Sequence, residues 1–221
     1  MKEYSFAYGK GSVTLPLDEH QVLGVLHGKA VPPLPDIKKA LWESLDDPID
    51  AAPLRALAVP GQKIALVVSD ITRFWMRQDL VIPHLTDYLT AVCGAAPADV
   101  TIVVANGTHP GGSESELRTL VTDAVFDRFR VENHDCQAAD LVYLGTTAHD
   151  TPVWVNRTVA TADLVICLGA CAHHIMAGFG GGRKSILPGV SGLATIRHNH
   201  AYSLDAARLR SNPAIGNGVL A

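Results

Sequence analysis

Three short apolar runs along the chain each end in polar residues. They lie within Lys63–Asp70, Asp99–Ala105 and Leu164–Leu168. A continuous apolar run of this length, without the strict alternation of a half-exposed strand, indicates a strand that is buried on both faces. Strands of this kind are typical of parallel sheets, so the pattern predicts a parallel sheet.

Segments with helical spacing lie between these runs. Within Arg77–Cys93, apolar side chains recur every three or four positions, and Pro83 is close enough to the start of a helix to be tolerated. A helix is also predicted over Asp36–Ser44, and Ser113–Glu116 has the pattern of a helix capping box. Strands that alternate with helices favour an α/β fold, with a doubly wound, mostly parallel sheet flanked by helices.

Two further segments predict additional strands. Near the amino terminus, Tyr4–Tyr8 and Ser12–Leu17 flank a Gly9-Lys10-Gly11 turn, a pattern that predicts a small β-hairpin. The apolar segment Leu141–Leu144 predicts another strand in the carboxy-terminal half. The chain is therefore expected to form one α/β domain with a hairpin at its start.

Composition and charge exclude several classes of protein. The chain has 221 residues, of which 48% are hydrophobic and 18% are charged, as in soluble globular domains. Its net charge of −4 offers no basic surface for nucleic acid. It contains no membrane-spanning apolar run, and its polar first residues do not resemble a signal peptide. We therefore expect a cytoplasmic protein without nucleic-acid or membrane partners.

Polar loops follow the three predicted strands of the sheet. The loops are Ser69–Arg73, Ala105–Pro110 and Gly169–His174. In open α/β sheets, ligands bind in the crevice beyond the carboxyl ends of the strands. If the strands are parallel neighbours, Asp70, Arg73, His109 and His174 converge on one crevice.

The residue types in these loops suit a catalytic or binding site. Asp70 could accept hydrogen bonds from ribose hydroxyls, and Arg73 could bind a phosphate or a carboxylate with two parallel hydrogen bonds. Histidine titrates near neutrality, so His109 and His174 could exchange a proton with a substrate from opposite sides. The alternatives are that Asp70 only caps a helix and that His109 is an ordinary loop residue.

Lys184 is the only lysine after Lys63, since the other ten basic residues there are arginines. An amine can lose its proton and form a covalent bond, whereas a guanidinium stays charged. The preceding glycines could expose backbone N–H groups to an anion. A nucleotide triphosphatase loop is a weak alternative, because Arg183 replaces its second glycine and the segment starts far beyond the strand.

Two other histidine-containing patterns could bind a metal. The Cys167-x-x-x-Cys171-x-His173-His174 cluster has some character of a metal site, but Cys167 lies in an apolar run and is expected to pack as a small hydrophobic residue. His198 and His200 lie on a predicted helix, where residues two apart do not share a face. At most one of those two is expected to enter the site, and a neutral imidazole there could bind nickel, copper or zinc.

Together, these segments resemble the nickel-dependent lactate racemase family. The matching segments are Asp70-Ile71-Thr72-Arg73, Gly107-Thr108-His109, His173-His174-x-x-Ala-Gly-Phe-x-Gly-Gly-Arg-Lys184-Ser-x-Leu-Pro-Gly189, and His200, sixteen residues after the lysine. They occur in order along essentially the whole chain, and the glycine-rich block is highly specific. The resemblance implies that residues 1–221 form the amino-terminal, cofactor-binding domain, and that a second, carboxy-terminal α/β domain found in the longer family members is absent from this chain.

The resemblance also implies a cofactor and roles for the site residues. The cofactor would be a nickel-pincer nucleotide, Ni(II)-pyridinium-3,5-bisthiocarboxylate mononucleotide, covalently attached at Lys184 through a thioamide. His200 matches the histidine that binds nickel, and Asp70–Arg73 match the loop that holds the nucleotide and the substrate. His109 and His174 match two acid–base histidines.

The implied reaction is the racemisation or epimerisation of a small 2-hydroxy acid. One histidine would remove the hydroxyl proton while hydride leaves C2, and hydride return to the other face, with a proton from the second histidine, would give the mirror image. The implied partners are the substrate, the cofactor-synthesis and nickel-insertion proteins, and the missing carboxy-terminal domain.

One segment departs from the family pattern. Phe74-Trp75-Met76 follow Arg73, where lactate racemases usually have a proline and smaller residues. Bulky side chains beside the substrate arginine argue against lactate itself, and other family members act on larger 2-hydroxy acids. The functional alternative from a different class is a non-catalytic nucleotide- or metal-binding module.

Overall fold

The computed structural model describes residues 1–174 and 177–204, and the chain forms two compact units, Met1–Pro35 and Asp36–Ala221. In the first unit, β1 (Lys2–Tyr8) pairs antiparallel with β2 (Gly11–Leu17). Gly9 in the turn has a positive φ of 57°, which glycine adopts without steric cost. The predicted hairpin is confirmed.

The second unit contains the other β-strands and the α-helices of the described residues. Its strands are β3 (Ile64–Ser69), β4 (Val100–Ala105), β5 (Arg130–Asn133), β6 (Val142–Thr146), β7 (Pro152–Val155), β8 (Leu164–Cys167), β9 (His173–His174) and β10 (Gly178–Phe179). Its helices are α1 (Ile37–Asp46), α2 (Leu54–Leu57), α3 (Ile82–Ala91), α4 (Glu114–Val121), α5 (Asp123–Phe126), α6 (Arg157–Ala160), α7 (Arg183–Ile186) and α8 (Leu193–Ala201).

Four of these strands form a parallel sheet in the order β5-β4-β3-β8. The chain builds the sheet outward from β3 through β4 to β5, and then returns to place β8 on the other side of β3. The strand order therefore reverses between β3 and β8, which makes the sheet doubly wound, as predicted.

The sheet is covered on both faces, and the alternating side chains of β3 show this most clearly. Ile64, Leu66 and Val68 pack in the larger hydrophobic cluster with α3 and α4. Ala65 and Val67 point to the opposite face and pack with residues such as Val159 and Val190. Since successive side chains of a strand point to opposite faces, a strand buried on both sides needs the continuous apolar sequence that β3 has.

Two predicted helices begin as their sequences indicate. The side chain of Asp36 accepts a hydrogen bond from the backbone N–H of Lys39 (2.9 Å) and caps α1. Ser113 and Glu116 form the predicted capping box at the start of α4, with the Ser113 N–H donating to Glu116 Oε2 (2.8 Å). Such caps satisfy backbone N–H groups that have no partner within the helix.

Three parts of the sheet and its helices differ from the sequence prediction. The segment predicted as one helix over Arg77–Cys93 is divided: a 3-10 turn (Gln78–Leu80) follows the left-handed Arg77 (φ 51°), and α3 begins only at Ile82, with Pro83 in its first turn. The predicted strand at Leu141–Leu144 is β6, but it pairs antiparallel with β7 outside the parallel sheet. The fourth strand of the sheet is β5, a polar edge strand that the sequence analysis missed.

No helix in the described residues has the length and apolar character needed to cross a membrane.

Candidate active site

A pocket lies at the carboxyl ends of the central strands, where the strand order reverses. It encloses about 240 Å³, and its lining includes Asp70 and Arg73 after β3, His109 after β4, and His174 and Lys184 after β8. The predicted convergence of the first four of these residues on one crevice is therefore confirmed. The parallel register explains it, because Ser69 at the end of β3 lies beside Ala105 at the end of β4.

The carboxylate of Asp70 holds His109. Asp70 is only 5% exposed, and its Oδ2 atom is paired with Nδ1 of His109. Its other oxygen, Oδ1, accepts a hydrogen bond from the Thr72 hydroxyl (2.6 Å), and that hydroxyl accepts one from Nη1 of Arg73 (2.5 Å). Asp70 thus connects the loop after β3 to the loop after β4.

Asn106 fixes the backbone of the loop that carries His109. It is 3% exposed, and its side-chain amide donates to the Pro110 carbonyl (3.0 Å) and to Asn133 Oδ1 (3.3 Å). The N–H of Gly107 donates to the Gly189 carbonyl (2.9 Å), so this loop is also joined to the segment after Lys184. Gly107 has a positive φ of 58°, a conformation that favours glycine.

His174 lies in a short hairpin formed by the two-residue strands β9 and β10. Its Nδ1 atom accepts a hydrogen bond from the Ala177 N–H (3.1 Å). Burial, together with the charges of Lys184, Arg73 and His200, lowers the pKa of His174 below 6.5. Both causes disfavour a positive charge on the imidazole, so they favour its neutral form near pH 7.

Lys184 lies in the single turn α7, which begins after Gly182. Burial lowers the pKa of the Lys184 ammonium, and the charge of Arg73 lowers it further. A lower pKa makes the neutral, nucleophilic amine more accessible. The one lysine that follows Lys63 in the sequence is therefore placed in an environment that favours amine chemistry.

Glycines allow the chain before Lys184 to pack tightly against the loop after β8. A Cβ atom at Gly169 would lie 2.9 Å from the Gly181 Cα, closer than side chains tolerate. Gly181 also has a positive φ of 72°, and the Gly180 N–H donates to the Ala172 carbonyl (2.7 Å). This close backbone contact brings Lys184 to the pocket formed by the strand ends.

The two histidines of α8 have different surroundings, as their helical spacing predicts. His200 is close enough to Lys184 for the lysine charge to lower its pKa, although burial is the larger cause. Nδ1 of His200 is buried and makes no hydrogen bond of good geometry within the described residues, although the Ile196 backbone opposes the lowering of the His200 pKa. His198 instead makes a hydrogen bond between its Nδ1 and the Thr151 hydroxyl (3.1 Å). Neither histidine lines the pocket, and of the two only His200 has a pKa that the charge of Lys184 lowers.

Other predicted site residues are placed differently. Ile71 packs against the larger hydrophobic cluster and does not line the pocket. Thr72 also does not line it and reaches the site only through Asp70 and Arg73. Cys167 packs with the smaller hydrophobic cluster as expected, and no group of three or more potential metal-binding side chains occurs within residues 1–174 and 177–204.

Some residues of the site were foreseen from the sequence and others were not. Trp75 and Met76, which the sequence places beside the substrate arginine, line the pocket. Asn106 was missed although its position before Gly107, at the end of a predicted strand, is typical of a turn that needs side-chain support. The pairing of Asp70 with His109 was also missed, because a contact between two loops far apart in sequence leaves no local signal.

Comparison with known proteins agrees with this architecture. Residues 8–211 match the family described as "Lactate racemase N-terminal domain". The chain is 27% identical over its full length to the lactate racemase of Thermoanaerobacterium thermosaccharolyticum. It is 30% identical, over 96% of its length, to the lactate racemase of Lactiplantibacillus plantarum. The chain spans about half the length (50%) of each of these relatives.

Solved structures show the same fold. The lactate racemase apoprotein from T. thermosaccharolyticum superposes with a TM-score of 0.77 at 25% identity, covering 98% of this chain and 52% of that one. A Thermotoga maritima protein superposes with a TM-score of 0.57 at 20% identity, covering 73% of this chain and 39% of the other. The second match supports the fold alone.

Proposed function

Because the chain belongs to the lactate racemase N-terminal domain family, we propose that it is the cofactor-binding domain of a racemase or epimerase acting on 2-hydroxy acids. The observation that carries this proposal is the pocket itself, in which two histidines from separate strand-end loops are brought together with Arg73 and Lys184. In a racemisation by hydride transfer, the hydroxyl oxygen must lose a proton before the planar 2-keto acid forms and regain one after hydride returns to the other face, and the two loops supply one histidine each for these transfers.

Residues in and beside the pocket fit a nickel-pincer nucleotide. Lys184, in the pocket, offers a partly buried amine with a lowered pKa for covalent attachment. His200 does not line the pocket, but it offers a partly buried imidazole close enough to Lys184 for the lysine charge to lower its pKa. A single imidazole does not hold a metal tightly by itself, so a nickel ion at His200 would need ligands from an organic cofactor. Cofactor-synthesis and nickel-insertion proteins would then be partners of this chain.

The roles of the protein side chains follow from their chemistry. When bound, the cofactor would accept hydride from C2 of the substrate and return it. Arg73 would hold the substrate carboxylate with its guanidinium, which is suited to two parallel hydrogen bonds. His109 and His174 would each remove the hydroxyl proton from one enantiomer and return a proton when the other enantiomer forms.

The complete enzyme requires a second domain in this proposal. The chain spans half the length of the lactate racemases that it matches, and the pocket lies at a sheet edge that open α/β domains use for ligands. A carboxy-terminal domain would close over the pocket, exclude water and contribute further contacts to the substrate. We therefore expect negligible turnover by the 221-residue chain alone.

The pocket wall favours a substrate with a larger side chain than lactate. Trp75 lines the pocket but remains 65% exposed, and Met76 lies beside it. An exposed indole next to the proposed carboxylate site could contact an apolar substituent on the substrate. Turnover of aromatic or branched 2-hydroxy acids by the full-length enzyme, compared with turnover of lactate, would test this preference.

The proposal is tested by producing the chain together with the cofactor-synthesis enzymes and measuring intact mass and bound nickel. We expect a covalent adduct in the native chain and none in Lys184→Arg, which keeps the charge and loses the nucleophile. Lys63→Arg is the matched control, because Lys63 pairs with Asp99 at the amino ends of the strands (2.5 Å), and it should retain the adduct.

The nickel assignment has its own matched pair of variants. His200→Ala should retain the organic adduct but lose most of the nickel, whereas His198→Ala on the same helix should retain both. Undiminished nickel in His200→Ala would contradict the assigned ligand. An adduct that remains in Lys184→Arg would contradict the assigned attachment site. Full-length protein that carries both adduct and nickel but converts no 2-hydroxy acid would instead favour a non-catalytic cofactor-binding module.

A further inference from the structure

We propose that Asp70 is a positioning residue that keeps a proton on Nδ1 of His109, so that Nε2 is the nitrogen that exchanges protons with the substrate. This gives Asp70 a role in acid–base chemistry rather than only in holding a nucleotide. The proton position on His109 follows from contacts within this chain. Only its kinetic consequence rests on the proposed function.

Asp70 is buried, and its carboxylate oxygens therefore need hydrogen-bond donors. The residue is 5% exposed, and an ionised carboxylate that is buried needs hydrogen-bond donors for its oxygens. Its Oδ2 atom is paired with Nδ1 of His109. A carboxylate can only accept in this pair, so Nδ1 of His109 donates and carries a proton.

The direction of the second hydrogen bond to Asp70 is fixed independently. The guanidinium of Arg73 has donors and no acceptor, so the Thr72 hydroxyl must accept from it (2.5 Å). The hydroxyl then has its single proton left for Oδ1 of Asp70 (2.6 Å). Both oxygens of Asp70 therefore act as acceptors, and the chain of hydrogen bonds from Arg73 through Thr72 has one consistent direction.

This arrangement leaves Nε2 of His109 as the only ring nitrogen with a free lone pair when the imidazole is neutral. His109 lines the pocket, and its side chain is 45% exposed. When Nε2 takes up a proton, the imidazolium remains paired with Asp70, as in other carboxylate–histidine pairs. Asp70 would therefore orient the ring and balance the charge that forms on it.

The test is the tautomer of His109, measured by 15N NMR on the 221-residue chain at a pH where the imidazole is neutral. In the native chain we expect a protonated Nδ1 and an unprotonated Nε2. In Asp70→Asn we expect the opposite tautomer. Because Thr72 still donates, it holds the amide oxygen on its own side and turns the amide NH₂ group toward Nδ1 of His109.

Two further variants test the route through Thr72. In the double variant Asp70→Asn with Thr72→Val, the amide can turn its oxygen to His109, and the native tautomer should return at least in part. The double variant with Thr72→Ser keeps a hydroxyl and should retain the changed tautomer. Asp99→Asn, which changes a carboxylate at the amino end of β4, should leave His109 unaffected.

Several results would overturn the inference. An Nε2-protonated tautomer in the native chain would contradict it without any variant, so the test does not depend on whether Asp70→Asn folds. An unchanged tautomer in folded Asp70→Asn would also contradict it. Failure of the double variant with Thr72→Val to recover the native tautomer would contradict the route through Thr72.

Kinetics of the full-length enzyme separate this inference from the proposed function. Asp70→Asn should lower the rate of proton removal by His109 by a factor on the order of 10² to 10⁴. The adduct at Lys184 and the bound nickel should remain. If the native full-length enzyme converts no 2-hydroxy acid, the proposed function is wrong, while the NMR result still decides the role of Asp70. An unchanged rate in Asp70→Asn would overturn that role even if the tautomer changes.

Discussion

The two histidines of the pocket are held by different kinds of structure. His109 follows β4, a six-residue strand in the middle of the parallel sheet, and is paired with the buried carboxylate of Asp70. His174 lies in a hairpin of two-residue strands, where burial and the charges of Lys184 and Arg73 lower its pKa. One imidazole therefore has an anionic partner, and the other has cationic neighbours.

This difference suits a reaction in which the two histidines alternate. A two-sided proton exchange needs one imidazole charged while the other is neutral, and a carboxylate stabilises an imidazolium whereas cations disfavour it. The hydrogen bonds also differ, because Nδ1 of His109 donates to Asp70 and Nδ1 of His174 accepts from the Ala177 N–H. Proton exchange with the two enantiomers of the substrate would therefore be carried out by two histidines in unlike surroundings.

If the proposed function is right, the largest expected effect comes from removing either histidine in a protein that includes the second domain. His109→Ala and His174→Ala should each lower racemisation by a factor of about 10² to 10⁴, the usual effect of losing a positioned acid–base group. Each variant should still oxidise the enantiomer served by the remaining histidine, so the two variants should form 2-keto acid from opposite enantiomers. Chiral chromatography measures both quantities. Racemisation by either variant at the parent rate would contradict the two-histidine mechanism.

A smaller effect is expected from removing the cation that His174 and Lys184 share. In Arg73→Gln, the pKa values of both residues should rise, because the charge of Arg73 lowers each of them. The rise should be partial, since burial is the larger cause in both. NMR titration of the imidazole and of the Lys184 side chain measures it. Arg183→Gln removes an exposed arginine next to Lys184 in sequence and should shift both pKa values less.

The two inner strands of the central sheet, β3 and β4, could be predicted from the sequence because they are buried on both faces. The segment that forms β3 must be continuously apolar, and this pattern, together with the helical segments on either side, indicates a strand of a parallel sheet. The edge strand β5 is short and partly exposed, so Arg130–Asn133 has no such run and escaped prediction. The partner of β6 was missed for a similar reason, since an antiparallel pair outside the main sheet depends on contacts that the local pattern does not encode.

The site was predicted to the extent that topology determines it. Once the strands are parallel neighbours, the loops after β3, β4 and β8 must meet, and the grouping of Asp70, His109 and His174 follows. Which atoms pair across those loops depends on side-chain conformations that sequence spacing does not determine. The contact of Asp70 with His109 and the position of Ile71 in the core therefore required the structure.

The smallest expected effect concerns His134. Its pKa is lowered by burial and not by a cation, whereas the pKa of His174 is lowered by both, so His134 shows the effect of burial by itself. His134 is 2% exposed, and its Nε2–H donates to the Ser191 carbonyl (2.9 Å). Burial lowers its pKa below 6.5, although the bond to Ser191 and the charge of Asp135 oppose the shift. The neutral form is therefore the one that stabilises the fold.

This pKa shift gives stability a definite dependence on pH. The unfolded chain binds a proton at His134 below about pH 6.5 while the folded chain does not, so the free energy of unfolding should decrease as the pH falls through that range. One titrating group changes the free energy of unfolding by at most about 1.4 kcal/mol per pH unit. His134→Gln can keep a donor for the Ser191 carbonyl and cannot titrate, so it should lose less stability between about pH 7.5 and about pH 5.5. Urea unfolding of the native chain and of His134→Gln at both pH values measures the loss of stability. His149→Gln, which changes an exposed histidine, is the control. Equal losses in native protein and His134→Gln would show that the buried imidazole does not set this pH dependence.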